Sequence, residues 1–542
     1  MKKFTFLVLI VLGAFTGKMN AQTDTLVVPP LTDGQPTAIN KFILDDASAP
    51  EGRVYKLERG KKYLFNQTCE INRSLRITSD PGPEDTPPAM IIASPDPESG
   101  ELVELWFYLT GNNIELDVSN VMFQGVAPTK EYIGAWLFTM DGDTLDISYD
   151  NVIFNGFGGG VSNVPGQKAE HVKIRVTNCI FRNIQFQNHP FMGQSVMDDA
   201  KVSQLYVMKN NTFFNCNSYI IFARNPCDSM LIEHNTFFGN SIQPIWNFQA
   251  INATIRDNIF YAMFSLGVPK DADDGGWFAD TDPAVISLHA LDAGYGIDEK
   301  DRKVVITNNA YFMPTAIQEY LQKAIDEGAD SICVKMPLWI NDDTKAMFDD
   351  DSNYPNLLLE NNFTDKDPGF REGIVDTIVE QRIDFDNKFS HYSWEMPAER
   401  PYHYAPNGDI FNVPWPLPED LSYTNADLLT ASSTGGPLGD PRWYGGSTGV
   451  RSMKSQRLDL MQNYPNPFGD YTDITFDVEN TGRAVLAIYN LMGQHIKTMV
   501  DKEYTPGTYT VRFQAGDLPD GIYFYKLRMN GKEGTRKMIL QR

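Results

Sequence analysis

The chain has 542 residues, 46 basic against 70 acidic, for a formal net charge of −24. So acidic a surface disfavours nucleic acid and anionic membranes as partners, and an acidic polysaccharide would need bridging cations. The length allows more than one domain.

Residues 1–21 read as a secretion signal. Lys2 and Lys3 precede an apolar run from Phe4 to Phe15, and Met-Asn-Ala before Gln22 forms a cleavage site. The run is too short to span a bilayer, and no later stretch is a transmembrane candidate. The mature chain is therefore expected outside the cytoplasm. Five cysteines are present, an odd count, with no Cys-x-x-Cys spacing for a thiolate zinc site. Cys216 and Cys227 are close enough in sequence to pair, but spacing does not decide it.

After a lead-in over 22–60, a short phrase recurs: Asn, any residue, an apolar residue, an aromatic. It stands at Asn120, Asn151, Asn178, Asn211, Asn235, Asn258 and Asn309. Successive copies lie 23 to 33 residues apart except the last, about twice that. This is the period of one supersecondary unit stacked on its neighbours. Four residues before each Asn stand Leu116, Ile147, Ile174, Val207, Leu231, Thr254 and Val305, which predicts half-buried strands. Stacked coils would put the seven Asn amides in one column about 4.8 Å apart. The aromatic three residues later would stack inside. A helical array is excluded by the wealth of Asn, Thr, Ile, Val and Phe in the repeats.

The pattern resembles the right-handed parallel β-helix of the pectate-lyase-like superfamily. The expected solenoid covers residues 22–375. One helix is expected near 314–328, where Ala316, Ile317, Tyr320, Leu321, Ala324 and Ile325 recur with helical spacing. Residues 376–450, rich in Pro and aromatics, are expected to form an irregular cover on the solenoid's open end, running into a Gly, Ser and Thr linker.

Residues 458–542 read differently. Ile474/Phe476/Val478, Tyr509/Val511/Phe513 and Tyr523/Tyr525/Leu527 alternate as half-buried strands between Gly-, Asn- and Pro-rich turns. The fold class expected is all-β: a parallel β-helix followed by a small antiparallel β-sandwich. The phrases QNYPNPF, LAIYNLMGQHI, LPDGIYFYKL and KMILQR resemble the C-terminal sorting domain of type IX (Por) secretion cargo in Bacteroidetes. The resemblance implies handling by the type IX machinery and delivery to the cell surface or beyond.

Candidate chemistry sits beside the repeats. Two residues before Asn211, Asn235 and Asn258 stand Lys209, Glu233 and Arg256, a column of alternating charge taken as the catalytic candidates. A salt-bridged ladder is the competing reading. His234, Asp257, Arg224 and Trp246 are the substrate-binding candidates. Asp271, Asp273 and Asp274, beside two glycines, form the metal candidate, suited to Ca²⁺, although no cofactor is required and the distal Glu of an EF-hand is missing. The pectate-lyase phrase Arg-x-Pro-x-x-Arg is broken here, since Ser229 follows Arg224 and Pro226 where its second Arg would stand. The expected partner is a polysaccharide or cell-surface glycan. A polysaccharide lyase or hydrolase and a structural or adhesive surface protein are the alternatives.

Overall fold

The computed structural model describes residues 24–444 and 460–542 with breaks, the longest at 185–194, 264–283, 328–335 and 390–403. The secretion signal and the Asp271–Asp274 loop therefore lie outside the described residues. The chain divides into two compact units, Met1–Ser452 and Met453–Arg542.

The first unit is a parallel β-helix. Among the described residues its strands form a long sheet of eleven, a middle sheet of nine and a short sheet of seven, each ordered along the sequence. One coil shows the path. His171–Thr177 lies in the long sheet, Ile180–Arg182 in the middle sheet and Val196–Asp198 in the short one. Ser203–Lys209 then pairs in parallel with His171–Thr177 to start the next coil. Each coil buries its inward row only when a neighbour covers it, so the core runs unbroken from Tyr55 to Trp339.

The asparagines do not form the single column that the phrase suggests; they form two. At the long-to-middle corner the backbone turns through a left-handed residue: Asn120, Asn151, Asn178, Asn210, His234, Asp257, Asn308 and Asn361, with φ between 54° and 61°. Asn and Asp tolerate this conformation because their short polar side chains bond locally. The first three phrase asparagines take this turn. From Asn211 onward an extra residue takes it, and the phrase Asn moves inside. The Asn211 and Asn235 side-chain nitrogens donate at 2.9 Å to Oδ1 of Asn235 and Asn258. Asn258 continues to Asn309 at 2.9 Å and Asn309 to Asn362 at 3.0 Å. These amides also satisfy corner backbone groups: Asn235 Nδ2 donates to Met208 O and Oδ1 accepts from Asn211 N–H.

A register shift beside Val172 and Lys173 accompanies the change, with Val207 pairing with Arg175. Val207, Leu231 and Val305 therefore lie on the outer row, half-buried, whereas Leu116, Ile147 and Ile174 are buried within. The aromatics follow the same phase. Phe123, Phe154 and Phe181 stack inside from the fourth phrase position; Phe213, Phe237 and Phe260 continue the stack from the third, 4.6–5.0 Å apart. Phe214, Phe238 and Tyr261 face outward under later segments, with Phe214 against Tyr404 and the other two against Phe370.

Helices occupy Thr315–Asp326, Asp342–Asp349 and Glu372–Phe389. The last falls mostly within the stretch expected to be irregular; Ile374, Ile378 and Val379 give it a buried face. Residues 404–444 form a strap along the flank of the middle sheet, not a plug on the open end. Leu417 packs with Met122, Ile153 and Ile180. Farther along, Asn308 Nδ2 donates to Ala431 O at 2.8 Å and Gly439 N to Asp257 O at 2.8 Å.

The second unit is an antiparallel sandwich. Tyr471–Val478 pairs with Gly507–Gln514. The other sheet orders His495–Tyr504, Gly482–Asn490, Gly521–Met529 and Lys532–Leu540. Between the sheets lie Ile474, Phe476, Leu486, Tyr525 and Leu527. The asparagines of QNYPNPF join it: Asn463 N–H donates to the Tyr525 hydroxyl at 2.8 Å, and Asn466 Oδ1 accepts from Ile539 N–H at 2.8 Å.

Candidate functional site

Lys209, Glu233 and Arg256 end three consecutive long-sheet strands, and the pairing register sets them side by side. Lys209 Nζ lies 2.7 Å from Glu233 Oε1, and Arg256 Nη2 lies 2.6 Å from Oε2. Glu233 is buried between two half-exposed cations. Burial alone would push its carboxyl up, but the hydrogen bonds and charges of Lys209 and Arg256 outweigh it, leaving it below the ordinary carboxylate range. A carboxylate held ionised, with both oxygens engaged, is a weak general base. The trio is a clamp across three coils.

The sign gives a pH prediction. A lowered value means that the ladder stabilises above the unfolded Glu value of about 4.3 and loses its effect as pH falls through the folded one. Near neutral pH, Glu233→Gln should cost about 1 kcal/mol, after solvent screening of the two cations. In urea titrations the gap from the parent chain should close below about pH 4; a gap that persists there would refute the assignment.

His234 and Asp257 occupy the left-handed corner, where the strap engages them. Asp257 accepts from Ser433 N–H at 2.7 Å and Ser433 Oγ at 2.6 Å. His234 Nδ1 lies 3.3 Å from Gly439 O, and its Nε2 lies 3.5 Å from Asp257 Oδ2. Trp246 ends Ile245–Trp246 in the short sheet, away from the charged trio in the long sheet. Arg224 lies outside the described residues, as do Asp271, Asp273 and Asp274. Among the described residues no cluster of His, Cys, Asp and Glu could hold a metal ion.

Cys69, Cys179, Cys216 and Cys227 are buried, and Cys227 forms no disulfide with Cys216. Burial pushes the thiols of Cys69 and Cys179 up to about 12, which leaves them unreactive. Asp198 points into the solenoid, where Ser203, Tyr206 and Ala200 N–H donate to it.

Two groupings escaped the sequence. On the middle sheet, Arg182 Nε and Nη2 donate to Glu419 at 2.8 and 3.0 Å, and its Nη1 donates to Asn155 Oδ1 at 2.8 Å. Both ends of this pair are buried, and 237 residues separate them. No local signal links them.

The second grouping is the outer row of the short sheet. Its register aligns Glu70, Tyr108, Thr139, Asn163, Met197, Phe222 and Trp246. Glu70 is exposed and Tyr108 half-buried, its hydroxyl donating to Asp141 at 3.2 Å. Thr139 Oγ1 and Asn163 Oδ1 are buried without hydrogen-bond partners among the described residues. Outward alternation on each strand would have identified this row, had the short strands been legible.

Residues 462–541 match the secretion system C-terminal sorting domain. The chain is a secreted or cell-surface protein handled by the type IX machinery. No helix among the described residues is long and apolar enough to cross a membrane. No curated protein matches the chain. The match covers the sandwich and leaves the role of the β-helix to its own surfaces.

Proposed function

We propose that the β-helix holds carbohydrate at the cell surface without turning it over, and that the contact lies on the short sheet. The carrying observation is a contrast between the three outer faces. The strap covers the middle sheet, and paired charges span the middle of the long sheet. The outer row of the short sheet carries the exposed Glu70 carboxylate and the half-buried Tyr108 ring beside the buried Thr139 and Asn163 atoms, which have no partners among the described residues. A buried polar atom left unpaired costs about 1–3 kcal/mol, and polar groups set among aromatics suit a sugar ring with its hydroxyls.

The reading is tested by incubating the mature chain with neutral and uronate polysaccharides, with and without Ca²⁺. Retention on a polysaccharide and ultraviolet-absorbing unsaturated product are measured together. Saturable retention without product is expected, with Tyr108→Ala weakening it about tenfold, near 1.4 kcal/mol. Arg256→Met should leave retention unchanged. Product formation would turn the assignment to a lyase. Failure to retain any polysaccharide would leave the structural reading, which the charge ladder favours.

A further inference from the structure

The last long-sheet strand among the described residues is Leu357–Glu360, yet the passenger chain does not leave the solenoid there. The strap runs forward from the coils of Gln124 and Arg182 to Asp367, and from Ala431 it returns against the order of the coils. Ser433 binds Asp257, Asp440 N–H donates to Thr236 Oγ1 at 2.9 Å, and Thr212 Oγ1 donates to Asp440 at 2.7 Å. Trp443 Nε1 then donates to Thr212 Oγ1 at 3.0 Å, and Arg442 Nη2 to Asn178 O at 2.5 Å. Four successive coils are crossed, and the described strap ends at Tyr444 in the middle of the solenoid.

The approach is close. Gly439 has φ +80°, and a Cβ there would stand 2.6 Å from Thr236 Oγ1 and 3.2 Å from Ile259. The Thr212 hydroxyl uses its one proton on Asp440 and accepts from Trp443, so it ties two strap residues to one coil.

We infer that the strap is a mechanical anchor. It transfers tension from residues 445–542, held by export machinery or at the surface, to the middle coils of the β-helix. A solenoid pulled at its terminal coil peels, because each coil is held only by its neighbour and the rung bonds break a few at a time. Tension entering at Tyr444 instead meets first the bonds of Trp443 and Arg442 to the coils of Thr212 and Asn178, then those of Asp440 and Ser433 to the coils of Thr236 and Asp257, before it reaches the terminal coil. The buried Arg182–Glu419 pair and the Leu417 contacts stand behind them. The terminal coil is loaded last, so an exported chain can be held by its C-terminal side without unravelling from that end.

Single-molecule pulling on the full chain tests this in two geometries. In both, one handle is at residue 24. The second is at residue 542, loading the strap, or at Glu360→Cys, bypassing it. The sandwich gives its own event of about 28 nm, which is set aside. In the bypass geometry the solenoid should peel in steps of about 8–12 nm, one coil each. Through the strap, the first solenoid event should need at least about twice the force. Trp443→Ala should lower that force toward the bypass value and leave the bypass geometry unchanged. Equal forces in the two geometries would overturn the inference, as would a Trp443→Ala effect of equal size in both. If Trp443→Ala does not fold, the comparison of geometries on the parent chain decides alone.

Discussion

Replacing Asn235 by leucine is expected to destabilise the β-helix by about 3–5 kcal/mol, although leucine is close to asparagine in size. Asn235 is fully buried within the inner amide column, between Asn211 and Asn258. Its Oδ1 accepts from both nitrogens of Asn211, and its Nδ2 donates to Met208 O and Asn258 Oδ1. Leucine leaves the Asn211 backbone N–H buried without its acceptor, at about 1–3 kcal/mol, and takes one donor from the Met208 carbonyl. The turn column gives the contrast. Asn210 has φ 58° and a half-buried side chain, so Asn210→Ala should cost only about 1 kcal/mol, the strain of a left-handed alanine. Urea midpoints of the two variants, measured under one set of conditions, compare the columns directly. Equal losses would show that the inner column carries no more than the turn.

Glu419→Ala should cost about 3–5 kcal/mol by leaving the Arg182 guanidinium buried and uncompensated. Arg182 keeps its bond to Asn155, but both Glu419 oxygens are lost. The double change Arg182→Met with Glu419→Leu should recover most of that loss, because a packed apolar pair can replace a buried ion pair at little net cost. Asn155 Oδ1 would still accept from Asn183 Nδ2 at 3.1 Å. Trp415 and Trp443 lie in the strap and report its seating by fluorescence. If the double variant is as unstable as the sum of the singles, the pair is not the strap's principal lock.

Particular residues show how far the sequence reached. The recurrence of Asn, an apolar residue and an aromatic carried the coil architecture, because stacked coils repeat their chemistry at each corner. It did not reveal the phase. Asn178 and Asn211 look alike in the phrase, yet one turns the chain and the other lies inside, and Asn210 decides between them. That one-residue slip also moved the interior aromatic from Phe181 to Phe213, and left Phe214 for the strap. Lys209, Glu233 and Arg256 were found as a column because they keep a fixed distance from the phrase. Whether they were free for chemistry depended on atomic distances, which spacing does not encode.

By itself the sequence determined the repeating coil, its Asn-lined corners, the separate C-terminal sandwich and its export signature, since each is written in local period and turn chemistry. Only the tertiary structure decided which face the strap covers. That depended on Glu419 reaching Arg182 and Asp440 reaching Thr212 across more than two hundred residues. The strap that carries Glu419 and Asp440 has no period to read: it is shaped by the sheet it covers, and only the folded sheet displays that template.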